Sequence, residues 1–334
     1  MIKEAILWAA GRQDLPYETA ETVMDEIMSG QASEIQMAAF LTAMSVKGET
    51  IEEITACAAG MRKHCIRLLH DMDVLEIVGT GGDKSNSFNI STTAAMVISA
   101  AGIPVAKHGN RAASSKSGAA DVLEALGVNI TVPPERSLAL LQELGLCFLF
   151  AQNYHIAMKY VAPVRRELGI RTIFNILGPL VNPAGANMEL LGVYEEDLVE
   201  PMAHVLHNLG VRSAMVVFGH DGLDEISVSA PTSVCEVRGD SFRSYVISPE
   251  EFGLRRCQKS EIVGGTPQEN AAITRAVLSG ERSPRRDAVL INAAAAIRIA
   301  KPELDFQAAL AVAAEQIDAG AALRQLDAFV RLSN

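Results

Sequence analysis

The sequence predicts an α/β protein with a small all-helical N-terminal domain and a larger domain whose mostly parallel sheet is flanked by helices. Three observations predict it. The first 66 residues show only helical patterns, and from residue 75 short apolar runs typical of strands alternate with helices. The composition is 49% hydrophobic but only 5% aromatic, which suits Ala, Leu, Ile and Val packed between helices and a sheet. Alternating strands and helices require crossover connections, and these connections favour parallel strands.

The N-terminal helices carry clear start signals. Ser33 to Gln36 and Thr50 to Glu53 each match a capping box, in which side chains satisfy the free N–H groups of a first turn. The helix after Ser33 is apolar over most of its circumference, including Ile35 and Val46. It is therefore either an ordinary core helix or one that is also buried against a partner subunit.

The remaining elements follow in order along the chain. Candidate strands are 75–78, 105–106, 147–150, 190–194, 214–218 and 234–237, and candidate helices include 92–101, 120–126, 134–144, 198–209 and 269–278. The segment 154–176 is again helical, and the last 50 residues form alanine-rich helices. A length of 334 residues fits roughly two domains of ~150 residues. We expect a small helical domain from 1–70, with a returning segment at about 154–185, and a large α/β domain from 71–153 and 186–334.

Charge and cysteine content exclude several classes of protein. The net charge of -11 argues against nucleic-acid binding, because phosphate backbones require clustered cations. The five cysteines include no C-x-x-C pair, which is typical of a reduced intracellular protein. No signal peptide and no apolar stretch of ~18 residues is present, so we expect no membrane association and a cytoplasmic location.

A glycine-rich segment, Gly79 to Asp83, follows the first candidate strand. Glycines free backbone N–H groups to form anion-binding nests, and the nearby Lys107 to Arg111 segment adds positive charge. The spacing matches neither the G-x-G-x-x-G dinucleotide pattern nor the G-x-x-x-x-G-K-[ST] P-loop. Because ligands bind beyond the carboxyl ends of parallel strands, the two segments predict a site for a phosphorylated ligand.

Three further groups are candidates for the same site. Asn89 to Thr92 offer polar side chains before a helix, either as ligand contacts or only as a helix cap. Asp224 and Glu225 follow a strand and suit Mg²⁺, although acidic turns are also common on surfaces. Arg165 could bind a carboxylate through its planar fork, or it could belong to an exposed arginine pair with Arg166. Four histidines show no evident partner in the sequence: His64, His70, His204 and His207.

Together these segments resemble the anthranilate phosphoribosyltransferase family. The resemblance covers nearly the whole chain, in the segments 79–83, 89–92, 107–111, 117–118, 163–166, 171–172, 174–180, 182–183, 222–225, 269–271 and 292–295. Each motif is short, but their order and spacing make the match specific.

The resemblance implies an enzyme that uses Mg²⁺, 5-phosphoribosyl 1-diphosphate (PRPP) and anthranilate, and that forms a homodimer through the helical domain. It implies that PRPP is bound by Gly79, Gly82, Asp83, Ser87, Asn89, Ile90, Ser91, Thr92, Lys107, His108, Gly109, Asn110, Arg111, Ala112, Ala113, Ser114 and Ser115. Anthranilate would contact Gly79, Asn110 and Arg165, and Mg²⁺ would be held by Ser91, Asp224 and Glu225. The residues placed closest to the chemistry are Arg165, Asn110, His108 and Lys107.

The chain departs from the family pattern at two positions. Ala119 replaces a common hydroxyl residue near PRPP, and Gln152 replaces a common proline at the anthranilate entrance. Two alternatives stay open from the sequence: a pyrimidine nucleoside phosphorylase of similar fold, and a nucleic-acid-binding paralogue without catalysis. The first is disfavoured by the 107–111 and 222–225 segments, and the second by the net charge of -11.

Overall fold

A computed structural model describes residues 1–112 and 115–334 of the chain. The described helices, in chain order, are α1 Ile2–Ala10, α2 Tyr17–Met28, α3 Glu34–Lys47, α4 Ile51–Lys63, α5 Ile90–Ala100, α6 Ala119–Ala125, α7 Pro134–Leu144, α8 Ala151–Tyr154, α9 Ala162–Leu168, α10 Phe174–Leu180, α11 Val199–Asn208, α12 Pro267–Leu278, α13 Pro284–Ala300, α14 Phe306–Asp318 and α15 Ala321–Ser333. Short 3₁₀ helices occupy Ile156–Tyr160, Glu196–Leu198, Pro249–Phe252 and Lys259–Ile262.

The strands are β1 Leu75–Gly79, β2 Val105–Gly109, β3 Leu146–Phe150, β4 Met188–Gly192, β5 Ser213–Gly219, β6 Thr232–Arg238 and β7 Ser241–Ile247. They form one sheet in the order β3-β2-β1-β4-β5-β6-β7. The first five are parallel, and β6 and β7 pair antiparallel at one edge. The predicted fold class, a helical N-terminal part followed by a mostly parallel sheet flanked by helices, is confirmed.

Both predicted capping boxes are present. Ser33 Oγ accepts from Gln36 N at 3.3 Å and Gln36 Oε1 accepts from Ser33 N at 2.9 Å. Thr50 and Glu53 make the equivalent pair at 3.2 and 2.8 Å. Each box satisfies two N–H groups at the start of α3 or α4, so the sequence signal acts locally as expected.

Alternate side chains of the strands pack against different helices. Leu190, Met215 and Val217 belong to an apolar cluster with α5 and α13 on one face of the sheet. Leu191 and Val216 face the other way, into a cluster that includes α11 and the helices α1 to α4. Val164 and Ile173 contribute to this second cluster. The N-terminal helices and one face of the sheet therefore share a continuous apolar core.

The structure corrects two element predictions. Helix α5 begins at Ile90 rather than at residue 92, with Asn89 as its N-cap. Strand β7 was not predicted, because its alternating polar residues resemble a loop. It joins β6 through a two-residue turn in which Gly239 has φ +52°, a value that glycine adopts readily. Within the described residues, we find no helix that combines the length and apolar character needed to cross a membrane.

Candidate active site

The site lies where the strand order reverses. β1 leads outward to β2 and β3 on one side, and β4 then returns to pair with β1 on the other. Gly79 and Gly192, the last residues of β1 and β4, are register partners at this point. In open parallel sheets the crevice beyond such a switch point is the usual place for a ligand. The predicted glycine segment therefore begins at the expected position in the topology.

Glycine at the ends of β1 and β4 allows the loop that carries Asp224 and Glu225, here called the acidic loop, to lie directly against the sheet. A Cβ added to Gly79 would be 2.3 Å from Asp224 Oδ2, and one added to Gly192 would be 1.7 Å from the Asp224 carbonyl oxygen. Neither distance is possible for a real side chain. Gly79 was among the predicted site residues, but Gly192 was not, because it lies in the middle of the candidate strand 190–194 and becomes a strand end only in the structure.

The glycine segment forms a loop of unusual backbone conformation. Gly81 and Gly82 have φ of +72° and +73°, and the non-glycine residues Lys84 and Asn86 have φ of +57° and +53°. Such residues in the left-handed region concentrate at ligand sites, where N–H groups converge. Gly81 N donates to Asp224 Oδ2 at 2.7 Å, so this loop and the acidic loop are directly joined.

The second loop is organised by one carboxylate of α6. Asp121 Oδ2 accepts from Ala112 N at 2.8 Å and from Gly118 N at 2.9 Å. The Arg111 guanidinium donates to Asp121 and Glu124, so in this structure it is directed to α6 rather than into the crevice. Asp121 was not among the predicted site residues, since its contacts are set by the loop conformation.

Asn89 connects the glycine segment to the second loop, which follows β2. Its Nδ2 donates to Ser117 O at 3.1 Å, and its Oδ1 accepts from Ser117 Oγ at 3.2 Å and from Asn270 Nδ2 at 2.8 Å. All of these partners are protein groups. The Asn89 side chain therefore sets the distance between the loops in this structure.

Lys107 is the central cation of the site. Its Nζ donates to Ile77 O at 2.6 Å and to Ser91 Oγ at 3.3 Å, and the residue is only 3% exposed. Burial lowers the pKa of Lys107, while Glu76, Glu225 and Asp224 oppose this effect. Three acidic side chains are therefore close enough to the ammonium to favour its charged form: Glu76 and the acidic pair Asp224 and Glu225.

Glu76 of β1 accepts a hydrogen bond inside the sheet from β2, the strand that carries Lys107. Its Oε2 accepts from His108 N at 2.8 Å and from the amide of Asn182, which also donates to Ala106 O at 2.8 Å. Burial raises the pKa of Glu76 to about 8, although the nearby Lys107 lowers it. Glu76 and Asn182 were missed as site-supporting residues, because the contacts join positions 106 residues apart.

The acidic pair is buried beside a third carboxylate. Burial, followed by the charges of Asp83 and Glu225, raises the pKa of Asp224 well above its usual value. Burial likewise raises the pKa of Glu225 to about 7, and Ser91 N donates to Glu225 Oε1 at 3.1 Å. Crowded carboxylates that resist ionisation are well suited to a divalent cation, which would neutralise them. The predicted Mg²⁺ ligands Ser91, Asp224 and Glu225 are thus brought together and supply hard oxygen donors.

These side chains do not form a complete metal site by themselves. Over residues 1–112 and 115–334, no group of three or more His, Cys, Asp or Glu side chains has an arrangement that could bind a metal ion. Mg²⁺ typically binds through one or two carboxylates, with substrate phosphates and waters completing its coordination. The residues present fit such a site.

His108, near the end of β2, is accompanied by a second buried histidine, His155. The His108 and His155 rings are 5.0 Å apart between centroids. Burial, with a smaller contribution from His155, lowers the pKa of His108 well below 6.5, and burial lowers that of His155 to about 4. Both rings are therefore neutral at pH 7. The Arg165 guanidinium is partly buried, 5.4 Å from the centre of the Phe174 ring.

Several residues that were predicted to bind a ligand make their contacts with the protein instead. Ile90 is 1% exposed and its N–H donates to Phe88 O at 2.7 Å, so it presents no free donor to a ligand. Asn110 is exposed, and its Oδ1 accepts from Arg111 N at 2.8 Å. Ala113 and Ser114 lie outside the described residues. Gly109 is the last residue of β2, and Thr92 is buried in the first turn of α5. The hydroxyl groups of Ser87 and Ser115 form hydrogen bonds with residues of their own loops.

The histidines without an evident partner in the sequence do have partners in the fold. His64 Nε2 lies 2.6 Å from Asp25 Oδ1, and His70 Nε2 lies 2.9 Å from Ala184 O. His204 stacks on Phe242 with ring centroids 4.0 Å apart, and His207 meets the edge of the same ring. These contacts are structural, and they could not be read from a single sequence.

Family models place this architecture in a class of group-transfer enzymes. Residues 3–65 match the helical bundle domain of a glycosyl transferase family, and residues 71–323 match the a/b domain of that family. An anthranilate phosphoribosyltransferase from Lachnoclostridium phytofermentans is 64% identical over 334 residues, covering 100% of this chain and 99% of the relative. The chain therefore belongs to the anthranilate phosphoribosyltransferase family.

Solved structures agree with this assignment. Anthranilate phosphoribosyltransferase from Thermus thermophilus superposes with a TM-score of 0.93 at 44% identity, covering 98% of this chain and 99% of that one. The Saccharomyces cerevisiae protein in complex with PRPP and Mg gives a TM-score of 0.89 at 31% identity, covering 96% and 93%. The same yeast protein with 4-fluoroanthranilate gives 0.89 at 29% identity, covering 98% and 97%.

Proposed function

We infer that the chain transfers the 5-phosphoribosyl group of PRPP to the amine of anthranilate, with Mg²⁺ as cofactor. The products are N-(5-phosphoribosyl)anthranilate and diphosphate, and the reaction is a step of L-tryptophan biosynthesis. The main support is that the glycine loop, Lys107 near the end of β2, and the pair Asp224 and Glu225 come together where the strand order reverses. The chain also matches this family along its whole length.

The geometry suits the departure of diphosphate. When the C1–O bond of the ribose breaks, positive charge develops on the sugar and further negative charge on the leaving group. Preorganised N–H donors and cations stabilise such charge, which is usually the largest catalytic contribution. We assign this task to the 79–83 loop and to the Lys107 ammonium, which is in hydrogen-bond contact with Ser91. Mg²⁺ supplies additional charge neutralisation at the diphosphate.

The second substrate requires positioning rather than a strong base. The aromatic amine of anthranilate is already neutral at pH 7, so its lone pair can attack C1 directly. We assign Arg165 to the anthranilate carboxylate and Asn110 to the same pocket, which hold the amine in line with C1. His108 is neutral, which is compatible with accepting a hydrogen bond from the amine.

The site assignments rest on the same geometry. We propose that PRPP is bound by the 79–92 and 107–115 segments, and that Mg²⁺ is bound by Ser91, Asp224 and Glu225. Support comes from the direct contacts Gly81–Asp224, Ser91–Glu225 and Lys107–Ser91, which join all three segments.

A fluorescence assay of anthranilate consumption tests the function. Wild-type protein with PRPP and Mg²⁺ should consume anthranilate, and the double variant Asp224→Asn, Glu225→Gln should require much more Mg²⁺. Asp327→Asn serves as the control, because this exposed carboxylate pairs with Arg275 on α12. Phosphorolysis of pyrimidine nucleosides, or DNA binding at physiological salt without transfer to anthranilate, would contradict the proposal in favour of one of the two rivals.

We propose that the protein forms a homodimer through its helical domain. An apolar groove of about 580 Å³ lies between α1 and α3, lined by residues such as Ile6, Ala39 and Val46. Ile35 and Val46 beside it are 83% and 67% exposed, which supports the prediction that α3 is buried on two sides in an assembly. Val46→Glu should produce monomers in analytical ultracentrifugation. Leu69→Glu, at an equally exposed apolar position elsewhere, should leave the dimer intact; a wild-type monomer would contradict the proposal.

We also propose a cytoplasmic location and the two-domain division given by the sequence. All five cysteines are free, which fits a reducing compartment. The packing of Val164 and Ile173 with the N-terminal helices supports assigning the 154–185 segment to the helical domain.

A further inference from the structure

Arg171 lies in the connection between α9 and α10 and contacts the glycine loop. Its Nη2 donates to Gly82 O at 2.9 Å, and its Nη1 pairs with Glu195 Oε1 at 2.5 Å. The guanidinium carbon lies 3.9 Å from the centre of the Tyr194 ring. One side chain therefore makes a hydrogen bond, an ion pair and a cation–π contact at the edge of the crevice.

The contact with Gly82 has a specific consequence for the loop. Gly82 lies in the left-handed stretch that begins at Gly81, and Gly81 N is already held by Asp224. A donor on the Gly82 carbonyl constrains the peptide that connects Gly82 to Asp83. This peptide carries the Asp83 N–H, so Arg171 sets the direction of one N–H group of the anion nest.

Arg171 is itself anchored from the opposite side. Its carbonyl accepts from Ser45 Oγ of α3 at 3.0 Å. Tyr194 and Glu195 lie two and three residues after the end of β4, whose last residue, Gly192, lies against the acidic loop. Arg171 thus connects the N-terminal helices, the end of β4 and the glycine loop, although its side chain is 41% exposed.

We propose that Arg171 is a positioning residue that holds the Gly81–Asp83 loop in the conformation that receives the diphosphate of PRPP. The inference rests on the proposed function. Arginine suits this role better than lysine, because its planar fork can bond Gly82 O and Glu195 at the same time while its guanidinium contacts the Tyr194 ring.

The expected effect concerns PRPP more than anthranilate. Hydrogen bonds that involve a charged group are the stronger ones, and partial exposure of Arg171 reduces the effect. We therefore expect Arg171→Ala to raise the KM for PRPP about tenfold. Arg171→Lys should fall between this variant and the wild type, since the ammonium can keep one of the contacts.

The experiment compares Arg171→Ala, Arg171→Lys and Arg275→Ala in steady-state kinetics and in calorimetric titration with PRPP and Mg²⁺. Arg275 is a matched control, as its side chain is 45% exposed and pairs with Asp327 away from the crevice. A rise in the KM and Kd for PRPP, with a much smaller change in the KM for anthranilate and a melting temperature like that of Arg275→Ala, supports the proposal.

Two results would overturn it. One is a KM for PRPP in Arg171→Ala within twofold of that in Arg275→Ala. The other is an equal rise in both KM values together with a lowered melting temperature, which would indicate a general structural role. Absence of turnover in the wild type would instead refute the proposed function, so the two failures are distinguishable.

Discussion

Gly192→Ala should disable the site without replacing any predicted ligand. The new Cβ would lie 1.7 Å from the Asp224 carbonyl oxygen, and contacts under 3.0 Å are essentially not found, so that oxygen must retreat by 1.3 Å, the difference between the two distances. The obstacle is backbone, which cannot rotate away as a side-chain end could. Asp224 and Glu225 would move with it, away from Ser91 and the glycine loop.

A displacement of this size is costly for catalysis. A misplacement of about 1 Å can reduce a rate about 100-fold, and Mg²⁺ tolerates little deviation from octahedral geometry. We expect kcat/KM for PRPP to fall about 100-fold in Gly192→Ala, with a higher Mg²⁺ requirement. The fluorescence assay, with PRPP and Mg²⁺ varied separately, measures both.

The control is Gly11→Ala, because a Cβ there meets nothing closer than 3.3 Å. Near-UV circular dichroism reports whether each variant keeps its native packing. A natively packed Gly192→Ala protein with kcat/KM for PRPP and Mg²⁺ dependence within threefold of wild type would refute this reasoning about the acidic loop.

Three further predictions concern individual side chains. Arg165→Ala should raise the KM for anthranilate more than that for PRPP, and an unchanged KM for anthranilate in steady-state kinetics would remove this residue from the pocket. Burial raises the pKa of Glu76 from 4.5 to about 8, so the stability contributed by its protonated form is complete below pH 4.5 and is lost as the pH rises through 8. Thermal melting between pH 5 and 8 should therefore show a smaller pH dependence in Glu76→Gln than in wild type or in the exposed control Glu303→Gln, and equal slopes would contradict it. Because the pKa values of His108 and His155 are lowered, their ring signals in NMR spectra should not titrate between pH 6 and 8, and a midpoint within that range would be inconsistent with their burial.

The sequence was most informative where local patterns decide structure. The capping boxes at Ser33 and Thr50 depend on residues three apart, and both form as predicted. The Gly79–Asp83 segment was recognisable because a buried strand ends in glycines. This pattern places backbone N–H groups at the carboxyl end of the strand. Strand β7 was missed because polar residues interrupt its apolar ones and four of its seven residues are exposed, so it lacks a clear apolar pattern.

Contacts between distant segments could not be predicted in the same way. Glu76 and Asn182 meet inside the sheet, and Asp121 organises the loop around Ala112 and Gly118, but neither arrangement leaves a periodic signal. For Arg111, the expected contact with the ligand differs from the contacts seen in the structure. Its positive charge suggested a contact with phosphate, whereas in the structure its guanidinium donates to Asp121 and Glu124.

The convergence of three segments on one ligand is tested most directly by hydrogen–deuterium exchange with PRPP and Mg²⁺. The 79–92, 107–117 and 221–226 segments should gain protection together, and the 221–226 segment should lose most of its gain when Mg²⁺ is omitted. Protection that leaves 221–226 unchanged in the presence of both PRPP and Mg²⁺ would contradict the account.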